Sequence, residues 1–251
     1  MRSEKGNRMA VIKRIVVLAN SVKNSGRCLA GKELIRTGGS YEVGSWIRVC
    51  GSEDGGEVSV SWMLEQLGRE PKLLDVIDVP LEGIVPLADQ PENWLMVRRA
   101  AWRDRGTLPL DEVSMLVDYP LQLWGTQKRD VAAGYVETMG EPASLYFIEP
   151  EVVGPVRVWT DKSLNDSGGR MDKLQRRISL RYKRMFHEFT VTDPVLQAEC
   201  YPDIPLHGEP MLSVDISLGG RTFVCISLTP PWKGRQYKIA AGFVRWRKEE
   251  E

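Results

Sequence analysis

The chain is short of the residues on which most reaction centres are built. Its 251 residues include only two histidines, His187 and His207. Neither lies near a nucleophile motif such as G-x-S-x-G, so a triad-type hydrolase has no support. The four cysteines, Cys28, Cys50, Cys200 and Cys225, form no C-x-x-C pair. Zinc sites need closely spaced Cys and His ligands, so no metal is expected, and reduced thiols in a cytoplasmic protein are the plain reading. Net charge is also lacking: Lys+Arg and Asp+Glu are both 34. That excludes a broad polycation, so any attraction to nucleic acid must rest on local patches. No run approaches about 18 apolar residues, so no membrane-spanning helix is expected. The short apolar part of MRSEKGNRMAVIKRIVVLANS does not fit a signal peptide. Residues 1–10 are expected to be a tail ahead of the first strand. No cofactor motif stands out, and the chain is expected not to be an enzyme.

What is present is core material and strand patterning. Hydrophobic residues make up 42% and charged residues 27%, as in a globular protein with a true core. Ile15–Ala19 is an apolar, β-branched run of strand length. Trp46–Val49, Leu73–Val79 (ending at Pro80), Ala143–Ile148, Pro155–Thr160, Ile178–Tyr182, Met185–Val191, Met211–Ser217, Thr222–Leu228 and Tyr237–Val244 also read as strands. Ser61–Leu67 and Asp111–Val117 read as short helices. The spacing of Trp94, Val97 and Ala101 predicts a helix over Asn93–Arg105, with Arg98, Arg99, Arg103 and Arg105 on its wet face. Leu164–Gly169 is expected to be a turn. Short strands at regular intervals, separated by Gly and Pro turns, argue for barrels or sandwiches over βαβ units. The predicted fold is mainly β with short helices: two small β-barrels in tandem, residues 1–135 and 136–251. No clear sequence repeat links the halves.

Three stretches carry candidate chemistry. Gly26–Glu33, GRCLAGKE, nearly matches the phosphate loop G-x-x-x-x-G-K-[ST], but Glu33 stands where Ser or Thr should meet magnesium. A nucleotide-binding enzyme is therefore a minor alternative, and an ordinary strand edge at Gly31-Lys32 the main one. The polar loop after Ile15–Ala19 offers Ser21, Lys23 and Arg27, which either grip a phosphodiester or merely satisfy a turn. The stretch from Arg170 to Arg184 carries Lys173, Arg176, Arg177, Arg181, Lys183 and Arg184, interleaved with Tyr182 and Phe186. Cations that follow phosphates and rings that stack bases suit a single-strand groove, with a solvated hairpin as the alternative. Lys32, Arg48, Lys233, Arg235 and Lys238 complete the candidate set, the last three beside Trp232 and Tyr237.

The residues Leu18-Ala19-Asn20-Ser21, Lys23, Gly26-Arg27-Cys28, Ala30-Gly31, Trp46-Ile47-Arg48, Gln90-Pro91-Glu92-Asn93, Tyr237-Lys238 and Ala241-Gly242 resemble the bacterial dual-OB family. The resemblance covers nearly the whole chain. It implies two OB-type barrels, nucleic acid as partner, and an accessory role in bacterial defence or conflict systems. A scaffold that docks proteins of the same operon is the alternative. No membrane partner is expected.

Overall fold

The computed structural model describes residues 10–23, 25–125, 127–164, 170–200, 212–213 and 220–246. The chain forms two compact units that exchange segments. One comprises residues 1–118 with 134–146, the other residues 119–133 with 147–251.

The first unit contains β1 (Val11–Lys23), β2 (Gly26–Thr37), β3 (Ser40–Cys50), α1 (Val60–Leu67), β4 (Asp75–Ile84), β5 (Asn93–Met96) and β6 (Arg103–Thr107). β1 is long enough to serve two neighbours. Its residues Ile15–Lys23 pair with β2, and Val11–Val16 pair with β4. β5 runs parallel to β3 and antiparallel to β4. The path β1-β2-β3-β5-β4 therefore returns to β1 as a closed five-stranded barrel, with β6 added on β4. Closure removes the unpaired edges that an open sheet would present. Inside lie Ile15, Val17, Leu29, Ile47, Val49, Ile77, Val79 and Leu81, with Met63 of α1 and Trp102 packed on them. The apolar run recognised in the sequence is sealed on both faces: each residue of Ile15–Ala19 is 1% exposed or less. α1 stops at Gly68, whose φ of 78° a Cβ would oppose and whose N–H bonds to Leu64 O.

The second unit contains β7 (Asp130–Ala132), β9 (Val152–Leu164), β10 (Arg170–Tyr182), β11 (Met185–Val191), α2 (Pro194–Glu199), β12 (Leu212–Ser213), β13 (Arg221–Leu228) and β14 (Arg235–Trp246). β8 (Leu145–Ile148) spans the switch between the units and borders β13. The order β9-β10-β11-β14-β13 repeats the order of the first barrel. β11 and β14 are parallel, as β3 and β5 are, and a short helix follows the third strand in both. Among the described residues β12 flanks β9 and β8 flanks β13, so this sheet runs open. Ile178, Leu180, Val156, Val158 and Phe189 are fully buried, and Phe147 stacks on Phe223 with centroids 5.8 Å apart. Asp193 caps α2 by accepting from Val195 N and Leu196 N, and it also accepts from Phe243 N of β14.

The mainly-β architecture with short helices agrees with the sequence. Some local readings do not. Asn93–Arg105 is not a helix: Asn93–Met96 is β5, Arg99 has φ 64°, and Arg103–Thr107 is β6. Pairing with β3 and β4 overrides a helical spacing that only three residues supported. β4 also continues through Pro80, which sits opposite Ile12, and shifts register between Leu81 and Gly83. Residues 165–169 and most of Met211–Ser217 lie outside the described residues.

Gly31 marks the closest approach in the first barrel. A Cβ there would lie 2.0 Å from Val16 O, whereas one at Gly39 would meet nothing within 4 Å. Gly31→Ala is expected to cost about 3 kcal/mol by overpacking, and Gly39→Ala well under about 1 kcal/mol, measured by urea denaturation.

Candidate functional site

Side chains alternate across each sheet, so the inward set defines an outward set. On β2 and β3 the outward residues are Ala30, Lys32, Trp46 and Arg48, with Ala30 opposite Arg48 and Lys32 opposite Trp46. The chain itself covers this face. Lys32 is 6% exposed and Arg48 is 3% exposed. Lys32 Nζ donates to Asp118 Oδ1 at 2.6 Å, and Trp46 Nε1 donates to Asp118 Oδ2 at 3.0 Å. Arg48 donates to Cys28 Sγ at 3.1 Å and to Ser144 Oγ at 2.7 Å. Ser144 in turn bonds Glu92 through its N–H at 2.6 Å and its hydroxyl at 2.8 Å. Burial opposes the charge of Arg48, but Cys28 and Glu92 beside it hold its pKa above the ordinary guanidinium value.

The stretch expected as a polar loop runs instead within β1 and β2, because Ser21 and Val22 pair with Cys28 and Arg27, and it is likewise used locally. Ser21 is buried, Lys23 Nζ donates to Gly55 O at 2.8 Å, and Arg27 Nε donates to Glu70 Oε2 at 2.7 Å. GRCLAGKE lies wholly within β2. A phosphate loop must bend between a strand and a helix with its amides free, and this segment spends them on a ladder. The first unit thus takes Ser21, Lys32 and Arg48 out of solvent, contrary to their sequence assignment as ligand contacts. The reason is that covering an outward face leaves a cation no option but an internal partner.

The corresponding strands of the second unit are β10 and β11, flanked by β9. Ile178, Leu180, His187, Phe189 and Val191 turn inward and are buried. By the same alternation and register, Arg157 and Trp159 of β9, Arg177 and Arg181 of β10, and Phe186 and Glu188 of β11 turn outward. The Arg177 guanidinium lies 4.7 Å from the centre of the Trp159 ring, and Arg181 lies 6.0 Å from that of Phe186. Arg157 and Arg177 share Glu188 at 3.1 and 3.3 Å, and Arg181 meets Glu151 at 3.0 Å. Phe186 is 53% exposed. Lys183 and Arg184 form the hairpin tip between Tyr182 and Met185; both are exposed, the Arg184 N–H donates to Glu151 Oε1 at 3.1 Å, and among the described residues neither side chain has a carboxylate in ion-pair distance. Their φ values are 46° and 66°. Positive φ at both central residues is the type I′ pattern, which favours Asn-Gly and strains larger side chains.

Tyr182 does not join this face. It is 6% exposed and donates its hydroxyl to Pro120 O at 2.9 Å. By the same alternation Arg176 lies on the opposite face from Arg177, and its charge opposes the rise that burial gives the Cys200 thiol. The Lys173 side chain and His207 lie outside the described residues. Lys238 is fully buried and donates to Leu123 O at 2.9 Å, so it is no ligand contact. Arg235 pairs with Asp130, while Lys233 lies 4.5 Å from the centre of the exposed Trp232 ring. Arg157 and Trp159 were missed as site residues, although PVRVWT already set them against the inward Val156 and Val158.

The dual OB-containing domain family matches residues 13–243. The chain belongs to that family. No curated protein sequence matches it. Among solved structures it is similar to the p204 HINb domain, with 10% identity, a TM-score of 0.31, and 92% of this chain and 97% of that one covered. It is also similar to a murine DNA-binding protein solved with double-stranded DNA, at 8% identity and TM-score 0.28, covering 94% of this chain and 96% of that one. Both are loose likenesses. Among the described residues no helix is long and apolar enough to cross a membrane.

Burial lowers the pKa of Lys238 from 10.5 to about 8. Between these values the unfolded chain keeps a proton that the folded chain has released, so this lysine makes stability rise with pH. From about pH 7.5 to about pH 9.5 the rise is expected to be about 1–2 kcal/mol, and Lys238→Met should remove it, read from urea midpoints at each pH.

Proposed function

We propose that the chain binds nucleic acid through the outward face of β9, β10 and β11, with its hairpin tip as the leading edge. The face formed by the second and third strands of an OB barrel is where oligonucleotides bind. In the first unit that face is filled by Asp118, Ser144 and Glu92. In the second it carries arginines, a half-buried Trp159 and an exposed Phe186. The observation that carries the reading is Lys183-Arg184. Two bulky cations occupy left-handed positions that Asn-Gly would fill without strain, and among the described residues neither side chain is in an ion pair. Beyond the contact of Lys183 with the Tyr182 ring, 5.6 Å from its centre, the fold gains little from that choice, whereas binding of a phosphate backbone would use both cations.

The acids on this face are weak obstacles. Glu188 and Glu151 hold their arginines through partly exposed pairs, which are worth about 0–1 kcal/mol each. An incoming phosphate takes over the arginines at small cost. Phe186 favours a single-stranded or otherwise exposed ligand, since only an unstacked base can lie on it. We place the protein in the cytoplasm, as a non-catalytic accessory of a bacterial defence system, with proteins of the same operon as its further partners. The first two assignments rest on the cysteine pattern and the sequence motifs, and the defence role and partners rest on the family resemblance.

The test is fluorescence anisotropy with short single-stranded DNA, single-stranded RNA and duplex DNA over a range of salt. Micromolar or tighter binding to single strands is expected, falling steeply with salt. Phe186→Ala should weaken it about tenfold, the equivalent of one lost stacking contact. The double variant Lys183→Asn/Arg184→Gly should lower the slope of log affinity against log salt by about 1.4 on single strands. The same variant should raise folding stability by about 1 kcal/mol, because the turn loses its strain. No binding at about 10 μM protein in low salt, or a double variant that binds as the parent does, would refute the reading.

A further inference from the structure

A second feature, in the first unit, points to a ligand of different form. Beside α1 lies an open groove of about 640 Å³, lined by Trp62, Met96, Arg98, Arg99, Glu57 and Glu65 among others. That volume falls within the range of small-molecule sites. Trp62 is half-buried and held by an edge contact to Trp102, centroids 5.3 Å apart and planes at 66°. Trp102 is 4% exposed and packed in the barrel core, so the Trp62 ring is fixed from behind. A ring fixed in this way, with Met96 next to it, suits a flat heteroaromatic group.

Arg98 and Arg99 set the charge of the ligand. Both are exposed, and among the described residues neither has a carboxylate within ion-pair distance. Elsewhere in the same unit Arg14, Arg27, Arg69 and Arg105 pair with acids, while the exposed Arg36 and Arg103, which do not line the groove, are in no ion pair among the described residues. Arg99 also holds a φ of 64°, which costs energy that its surroundings must supply. Two adjacent guanidinium groups suit a doubly charged phosphomonoester better than a singly charged diester. Glu57 and Glu65 on the same groove repel a polyanion laid along it. They can instead accept from ribose hydroxyls or exocyclic amines. The ligand therefore has one anionic end.

We propose that this groove binds a nucleoside phosphomonoester: base on Trp62, phosphate on Arg98 and Arg99, sugar or amino groups toward Glu57 and Glu65. The same chemistry exists in a free mononucleotide and in the 5′-phosphorylated end of a strand. The proposal does not depend on the β9–β10–β11 face, so it is tested in the full chain carrying Phe186→Ala. Calorimetric titrations compare each of the four nucleosides with its 5′-monophosphate, and a 5′-phosphorylated tetranucleotide with its 5′-hydroxyl form. At least tenfold tighter binding of the phosphorylated member is expected. Arg98→Ala with Arg99→Ala should abolish that difference while leaving the melting temperature unchanged, and Trp62→Phe should weaken binding of both members. Tighter binding of the tetranucleotide than of any mononucleotide assigns the site to strand ends, and equal binding assigns it to free nucleotides. Equal affinity with and without the phosphate, or a phosphate preference that survives loss of both arginines, would overturn the proposal.

Discussion

Closure of β1 onto two neighbours is the constraint on which the rest of the first unit depends. One strand bonds β2 through its second half and β4 through its first, with Ile15 and Val16 serving both. Such sharing forces a tight curve, and Gly31 lets β2 approach Val16 O where any side chain would clash. Once the strands close, every residue has a fixed inside or outside. The inside sorts itself by apolarity. The outside must be covered or solvated, and how each unit meets that demand separates their roles.

The two units answer it differently from the same strand order. In the first, Asp118 from the connecting segment reaches Lys32 and Trp46, and Ser144 with Glu92 reaches Arg48. These are buried, charge-assisted contacts, in which losing one partner strands the other at a cost of several kcal/mol, about 3–5 for a buried pair. They make that face a structural seam. In the second unit the acids on that face, Glu151 and Glu188, are partly exposed and share their arginines loosely. Contacts of that kind are exchangeable. A duplicated architecture thus has one closed face and one open one, decided by the burial of the Lys32–Asp118 pair and of Arg48.

Zero net charge also acquires a structural meaning. Many described arginines are paired within the fold, with Asp78, Glu70, Asp75, Asp130, Glu149 or Glu199. Against that background an unpaired cation is informative. Lys183 and Arg184 at one hairpin tip, and Arg98 and Arg99 at one groove, share exposure, lack of an acid, and left-handed backbone in three of the four. Strain and unspent charge at the same residues are the features on which both proposed sites rest.

The chain's alternation of apolar and polar residues was enough to determine a mainly-β protein, most of its strands, and the charged hairpin around Arg177, Arg181 and Phe186. Those features are local: a period of two and a cluster within fifteen residues can be read without knowing a partner. Asn93–Arg105 was misread because its strand character comes from β3 and β4, far away in sequence. Lys32, Arg48 and Lys238 read as surface cations until the fold brought Asp118, Ser144 and Leu123 to them. Which charges remain available, and which barrel face stays open, were decided only by tertiary structure, because desolvation depends on residues that no local pattern specifies.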